Sequence, residues 1–280
     1  MSKWVPAEVI EKTLRGITIP SRPKVLVQID HELKKNDPDP RVVARLIGGD
    51  VGLSAAVLKT VNSPFFGLSR KISSVPQAVG VLGMKTAAQI VNGLLLRSSF
   101  VAGRGPLEHF WDNAEKVAGI ASHIALTIPG GPRDDAYCFA LFHDVGIPML
   151  LQKLPGYAQT LLLASGPAER SFTVVERERH STDHATLGYL VAKGWFLPEA
   201  ISEGILYHHD ASVFADPDAI SPRALTLIAI NALAEHVHDE YVRLHDTGAW
   251  ELMGGQALAH LGLSEGEYAD LREELSAMLH

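Results

Sequence analysis

Asp39-Pro40-Arg41-Val42-Val43-Ala44-Arg45-Leu46-Ile47-Gly48-Gly49 reads as one complete helix. Asp39 is a residue that caps helix N-termini, and Pro40 brings the φ of a first helical position, where its missing N–H costs nothing. Gly48-Gly49 then ends the element, because glycine accepts the conformations in which helices stop. The next segment, Leu53 to Val61, carries Leu53, Ala56, Val57 and Val61 at three- and four-residue spacing, and Asn62-Ser63-Pro64 stops it. Ser73-Ser74 caps a third helix that buries Val75, Val79 and Leu82 and closes at Gly83, and Met84 to Phe100 makes a longer, very apolar fourth.

Helical periodicity continues outward from this stretch. It predicts helices over about 107–128, 134–152, 183–193, 198–209, 222–244 and 264–279, with Ser181 and Thr182 as capping candidates for the one at 183. Strand-like alternation is not found, so the expected fold is all-α, a two-part helical bundle with short connections. Gly103-Arg104-Gly105-Pro106 is the boundary candidate, dividing residues 1–105 from 106–280. The acidic stretch 251–280 is expected to form a solvated amphipathic helix that caps the bundle.

The charge pattern changes sign at that boundary. Residues 1–105 hold 15 Lys+Arg against 7 Asp+Glu, whereas residues 106–280 hold 10 against 25, giving −7 for the 280-residue chain. The basic residues are scattered and do not interleave with aromatics, so nucleic-acid binding is not expected. A single cysteine, Cys138, excludes a disulfide framework, a cysteine zinc site and an iron–sulfur cluster. Charged residues within Met1–Leu14 argue against a signal peptide, and even the most apolar segment, read as Ala224–Ala234, is too short to span a bilayer. The expectation is a cytoplasmic protein with no membrane partner.

Thirteen histidines mark where chemistry could reside. Three clusters stand out: His143-Asp144 inside the apolar segment Leu141 to Gly146, Asp183-His184 at a helix start, and His208-His209 at a helix end. Imidazole and carboxylate can satisfy one another in a core, and equally can hold Zn, Fe, Mn or Ni. His180 and His184 have the spacing of a helical ligand pair, but the expected cap falls between them. No phosphate loop of the GxxxxGK[ST] or GxGxxG type and no GxSxG elbow occurs.

Taken in order, these motifs resemble the HDOD domain, a bacterial output domain related to HD-type metal-dependent phosphohydrolases. The resemblance rests on Val57 to Leu68 with its Asn62-Ser63-Pro64-Phe65-Phe66-Gly67, on Ile72-Ser73-Ser74-Val75, Phe142 to Gly146, Glu176-Arg177-Glu178, Asp183-His184, Leu187-Gly188, Trp195, Leu197-Pro198 and His208-His209. It implies an all-α signalling module whose C-terminal half is HD-like, with His143, Asp144, His184, His208 and His209 as possible metal ligands. The resemblance also implies a degenerate site. Asn113 falls where an early His ligand is expected, Asn231 falls where a late Asp is expected (Glu235 being the alternative register), and Ile147-Pro148 replaces a lysine. The expected function is therefore a regulatory module, acting through a protein partner or small molecule without catalysis. It requires no cofactor but could hold a transition metal. The alternative is a metal-dependent phosphohydrolase acting on a nucleotide, such as a cyclic dinucleotide.

Overall fold

The computed structural model describes residues 5–100, 106–164, 171–216, 218–242 and 249–279. Every regular element among them is helical, as the periodicity predicts. The N-terminal part holds α1 (Ala7–Thr13), α2 (Lys24–Leu33), α3 (Pro40–Gly48), α4 (Val51–Val61), a 3-10 turn at Pro64–Phe66 and α5 (Val75–Phe100). The rest holds α6 (Pro106–Thr127), α7 (Arg133–Phe142), α8 (Gly146–Lys153), α9 (Tyr157–Ala164), α10 (Phe172–His180), α11 (His184–Gly194), α12 (Glu199–Tyr207), α13 (Pro222–Val242), α14 (Ala249–Leu261) and α15 (Glu265–Met278).

The expected start and stop signals operate as read. Asp39 caps α3 by accepting from Arg41 N, and Asn62 follows α4. Gly83, at φ 81° and ψ 161°, splits α5 at the predicted point. One hydrophobic cluster runs through the molecule, from Leu26, Ile47, Val57 and Ile90 to Trp111, Phe139, Trp195 and Leu233. The proposed boundary at Gly103–Gly105 lies outside the described residues.

Four readings need correction. The segment 134–152 is two helices, α7 and α8, and the His143-Asp144 pair sits at the break rather than inside a helix. Pro148 supplies the reason: in a continuous helix its ring would meet the Asp144 carbonyl and leave it without a donor, whereas in the first turn of α8 no such bond is needed. The cap of α11 is Asp183, which accepts from Thr186 N at 2.6 Å, while Thr182 bonds Thr13. The stretch 251–280 contains most of α14 and all of α15, turning at Gly262 (φ 69°), and buries Met253, Leu258, Tyr268, Leu271 and Leu275. Finally, among the described residues the helix with the length and mean hydropathy (1.4) to cross a membrane is Val75–Ser99, not the Ala224–Ala234 run read as most apolar. It is broken at Gly83, and Ala78, Val79, Ala87, Ala88, Ile90 and Val91 pack into the core.

Helices α1, α2, α9 and α10 were not read from periodicity. Of these, α9 and α10 matter most, since they carry Tyr157 and Glu176, which stand behind His184.

Candidate metal centre

The break between α7 and α8 leaves His143 and Asp144 turned toward the start of α11 and the end of α12. Gly146 makes that approach possible: a Cβ there would lie 2.2 Å from the His184 carbonyl oxygen and 2.7 Å from its Cα. Asp183 starts α11 and so places His184 in its first turn, and α12 ends at Tyr207, leaving His208 and His209 in the terminal turn. All five histidine and aspartate residues singled out in the sequence converge here. One ligand atom from each of Asp144, His184, His208 and His209 lies within 4.8 Å of every other, and His143, Asp144 and Glu235 form an adjoining group of three within the same distance.

Asp144 is the hub. Its Oδ1 is 3.2 Å from His184 Nε2 and 3.4 Å from His208 Nε2, and its Oδ2 is 3.3 Å from His143 Nε2. His184 Nε2 also stands 3.2 Å from His208 Nε2 and 3.1 Å from His209 Nε2. The far sides of three rings are tied down. His143 Nδ1 donates to Ala140 O at 2.7 Å, His208 Nδ1 to Ile205 O at 2.7 Å, and His184 Nδ1 to Glu176 Oε2 at 2.7 Å. A carbonyl or carboxylate oxygen can only accept, so each Nδ1 carries the proton and each neutral ring presents a lone pair at Nε2.

The His184 and His208 lone pairs, facing one another at 3.2 Å beside a carboxylate oxygen that is itself buried without a hydrogen bond, need positive charge between them. In the free protein protons provide part of it. Burial opposes the cation at His143, but Asp144 and Glu235 outweigh burial and hold its pKa well above the usual imidazole value. The same contest at His184, with Glu176 and Asp144 against burial, pushes it up to about 10. His208 and His209 go the other way: burial and their cationic neighbours hold both below the usual value. Asp144 is held well below the carboxylate range, burial being overcome first by His143. A divalent ion in place of these protons would meet imidazole and carboxylate donors of the type that Zn, Fe, Mn and Ni take.

Two positions of the cluster were missed or left open in the sequence. Glu235 on α13, not Asn231, touches His143, at 3.0 Å. Asn231 sits one turn earlier and donates to Glu235 Oε2 at 3.0 Å, so it orients that carboxylate. The four-residue spacing that puts both on one helix face was the available signal. Glu176 was matched without a role; it is fully buried, accepts from the Tyr157 hydroxyl and from His184, and fixes that ring's tautomer. Asn113, the other substituted position, is half-buried on α6 and makes no hydrogen bond to the cluster. His180, as expected, does not join His184; its Nε2 meets Thr160 Oγ1. Cys138 is fully buried in the core, and burial pushes its thiol well up.

The centre is not sealed. The side chains of Asp144 and Glu235 are 25% and 30% exposed, and a cavity of about 680 Å3 opens beside His209, with Lys12 and Arg177 on its walls.

Known proteins share this architecture. A protein from Shewanella amazonensis SB2B, provisionally named a phosphohydrolase, is 22% identical and superposes with a TM-score of 0.71 over 97% of this chain and 94% of its own. An HDOD domain protein of unknown function from Geobacter sulfurreducens is 24% identical, with a TM-score of 0.66 over 97% of each chain. Likeness at that level speaks for the fold alone. An uncharacterized protein of Treponema pallidum (strain Nichols) is 25% identical over 195 residues, which are 69% of this chain but only 38% of that longer relative. The HDOD domain model matches residues 19–211, a span that takes in the Asn-Ser-Pro-Phe-Phe-Gly element and every clustered histidine but stops short of Glu235; the chain belongs to the HDOD family.

Proposed function

We propose that this chain is a bacterial signalling module whose HD-like half holds a transition metal through Asp144, His184, His208 and His209, with His143 and Glu235 beside it, and which acts by binding a protein or small molecule rather than by hydrolysis. One observation carries the metal reading. Three imidazoles are fixed through Nδ1 so that their Nε2 atoms converge on one carboxylate. The non-catalytic part is supported by Asn113 standing in place of an expected imidazole and by Ile147-Pro148 after the His143-Asp144-Val145-Gly146 turn, where a lysine could have met a phosphate.

Elemental analysis of native protein is expected to find near-stoichiometric transition metal, and assays with manganese or iron are expected to show no hydrolysis of cyclic dinucleotides or simple phosphoesters. Metal-free native protein would reduce the cluster to a hydrogen-bonded core. Metal-dependent turnover that Asp144→Ala abolishes would instead favour the second reading, a phosphohydrolase. That reading has its own support in the partial exposure of Asp144 and Glu235. A bound metal with an open position supplies an activated water at neutral pH.

Glu176 gives an independent check. Its carboxylate holds His184 from behind, and loss of such an outer partner lowers metal affinity roughly 10–100-fold. Glu176→Gln keeps the shape and can still accept through its amide oxygen, but removes the charge. We expect weakened metal binding by competition with a chelator, with the helical circular dichroism signal retained.

A further inference from the structure

The Asn-Ser-Pro-Phe-Phe-Gly element takes no part in the metal centre, yet it shapes a groove of its own. Helix α4, the turn after it and the irregular return to Ile72 enclose about 800 Å3, with Lys59, Arg70 and Lys71 on the rim and Leu58, Pro64, Leu68 and Ile72 among the apolar lining. No Asp or Glu lines it. Indeed, Val51 to Gly105 contains six Lys or Arg and not one acidic residue. The three rim cations are exposed and form no ion pair among the described residues.

The groove is built, not incidental. Asn62 donates from Nδ2 to Leu58 O at 2.7 Å and to Ile72 O at 2.8 Å, and accepts from Ile72 N at 2.8 Å, so one side chain ties the returning loop to the helix end. Gly67, at φ 59°, turns the chain between the two walls. Phe65 and Phe66 point away from the groove into the core, at 7% and 2% exposure.

We infer that this groove docks an acidic segment of a partner protein that carries an apolar side chain between its carboxylates. The charge of the rim calls for an anion, and the apolar lining calls for a side chain. The exposure of the cations fits a macromolecular partner better than a small ligand, whose surface a pocket typically buries by about 70–90%. Single-stranded nucleic acid would need stacking aromatics, and both candidates are buried. A long polyanion would also meet the −15 balance of residues 106–280, whereas a short segment feels charges only within about 8 Å at physiological salt. This inference does not depend on the metal centre.

The test uses the full chain and a fluorescein-labelled octapeptide, Glu-Glu-Leu-Glu-Glu-Leu-Glu-Glu, followed by fluorescence anisotropy at low salt. Saturable binding is expected, weakened at least about tenfold, or ~1.4 kcal/mol, by Arg70→Glu with Lys71→Glu. Lys59→Ala is expected to weaken it less, and a peptide with Gln in place of Glu is expected not to bind. These exposed substitutions are expected to leave the melting temperature and metal content unchanged. Absent binding, equal binding of the Gln peptide, or indifference to the charge reversal would overturn the proposal. So would tighter binding of inorganic triphosphate or a single-stranded oligonucleotide at the same residues.

Discussion

Asp144→Asn is expected to empty the metal centre, lowering bound transition metal from near-stoichiometric to background on elemental analysis of native protein. The substitution keeps the shape of the side chain and removes only its charge. In the wild-type protein this carboxylate lies within 3.4 Å of His143, His184 and His208 Nε2 atoms, so it is the one group common to both halves of the cluster. A neutral amide oxygen cannot balance a divalent ion among imidazoles, and the affinity loss should exceed the roughly 10–100-fold that follows loss of an outer partner. The variant also tests the free protein. Asp144 helps hold His143 and His184 protonated against burial, so its neutralisation favours the uncharged rings. Carbon-detected titration of the imidazoles should show both pKa values falling. Unchanged metal content in Asp144→Asn would remove Asp144 from the centre.

Gly146→Ala is expected to produce the largest stability loss of any single methyl added to this chain near the site. The new Cβ would stand 2.2 Å from the His184 carbonyl oxygen, a backbone atom at the start of α11 that has no rotamer to move through. Overpacking against movable side chains costs about 1–3 kcal/mol, and a backbone clash belongs at or beyond the top of that range. The helix-propensity gain from Gly to Ala is at most about 1 kcal/mol and does not offset it. At about 3 kcal/mol, the melting temperature should fall by roughly 6–12 °C. Since the displaced residue is His184 itself, metal affinity should fall with it. Gly255→Ala on α14 is the matched control. A Cβ there meets nothing within 4 Å, so the same change should be neutral or stabilising. Equal melting temperatures for the two variants would refute the close approach of α8 and α11.

Much of the fold was legible because it is written locally. The cap at Asp39, the stops at Asn62 and Gly83, and the apolar spacing of α4 are decided by neighbours within a turn or two. The short helices α9 and α10 were not legible, because α10 is dominated by charged and polar residues and its stability comes from what packs on it. The break at His143-Asp144 could have been read from Pro148, whose ring forbids the helix that the apolar pattern alone suggests.

The site divides in the same way. Which residue types could hold a metal was evident from the sequence, because imidazole and carboxylate chemistry travels with the residue and their family order is preserved. Residues 19–211 declare the family as a matter of sequence. Only the folded chain could decide that Glu235, 91 positions after Asp144, faces His143 while Asn231 supports it, or that Glu176 locks the ring of His184. Helix spacing names candidates on one face of one helix. Which faces then meet is set by burial across the whole core, and that is a property no local stretch contains.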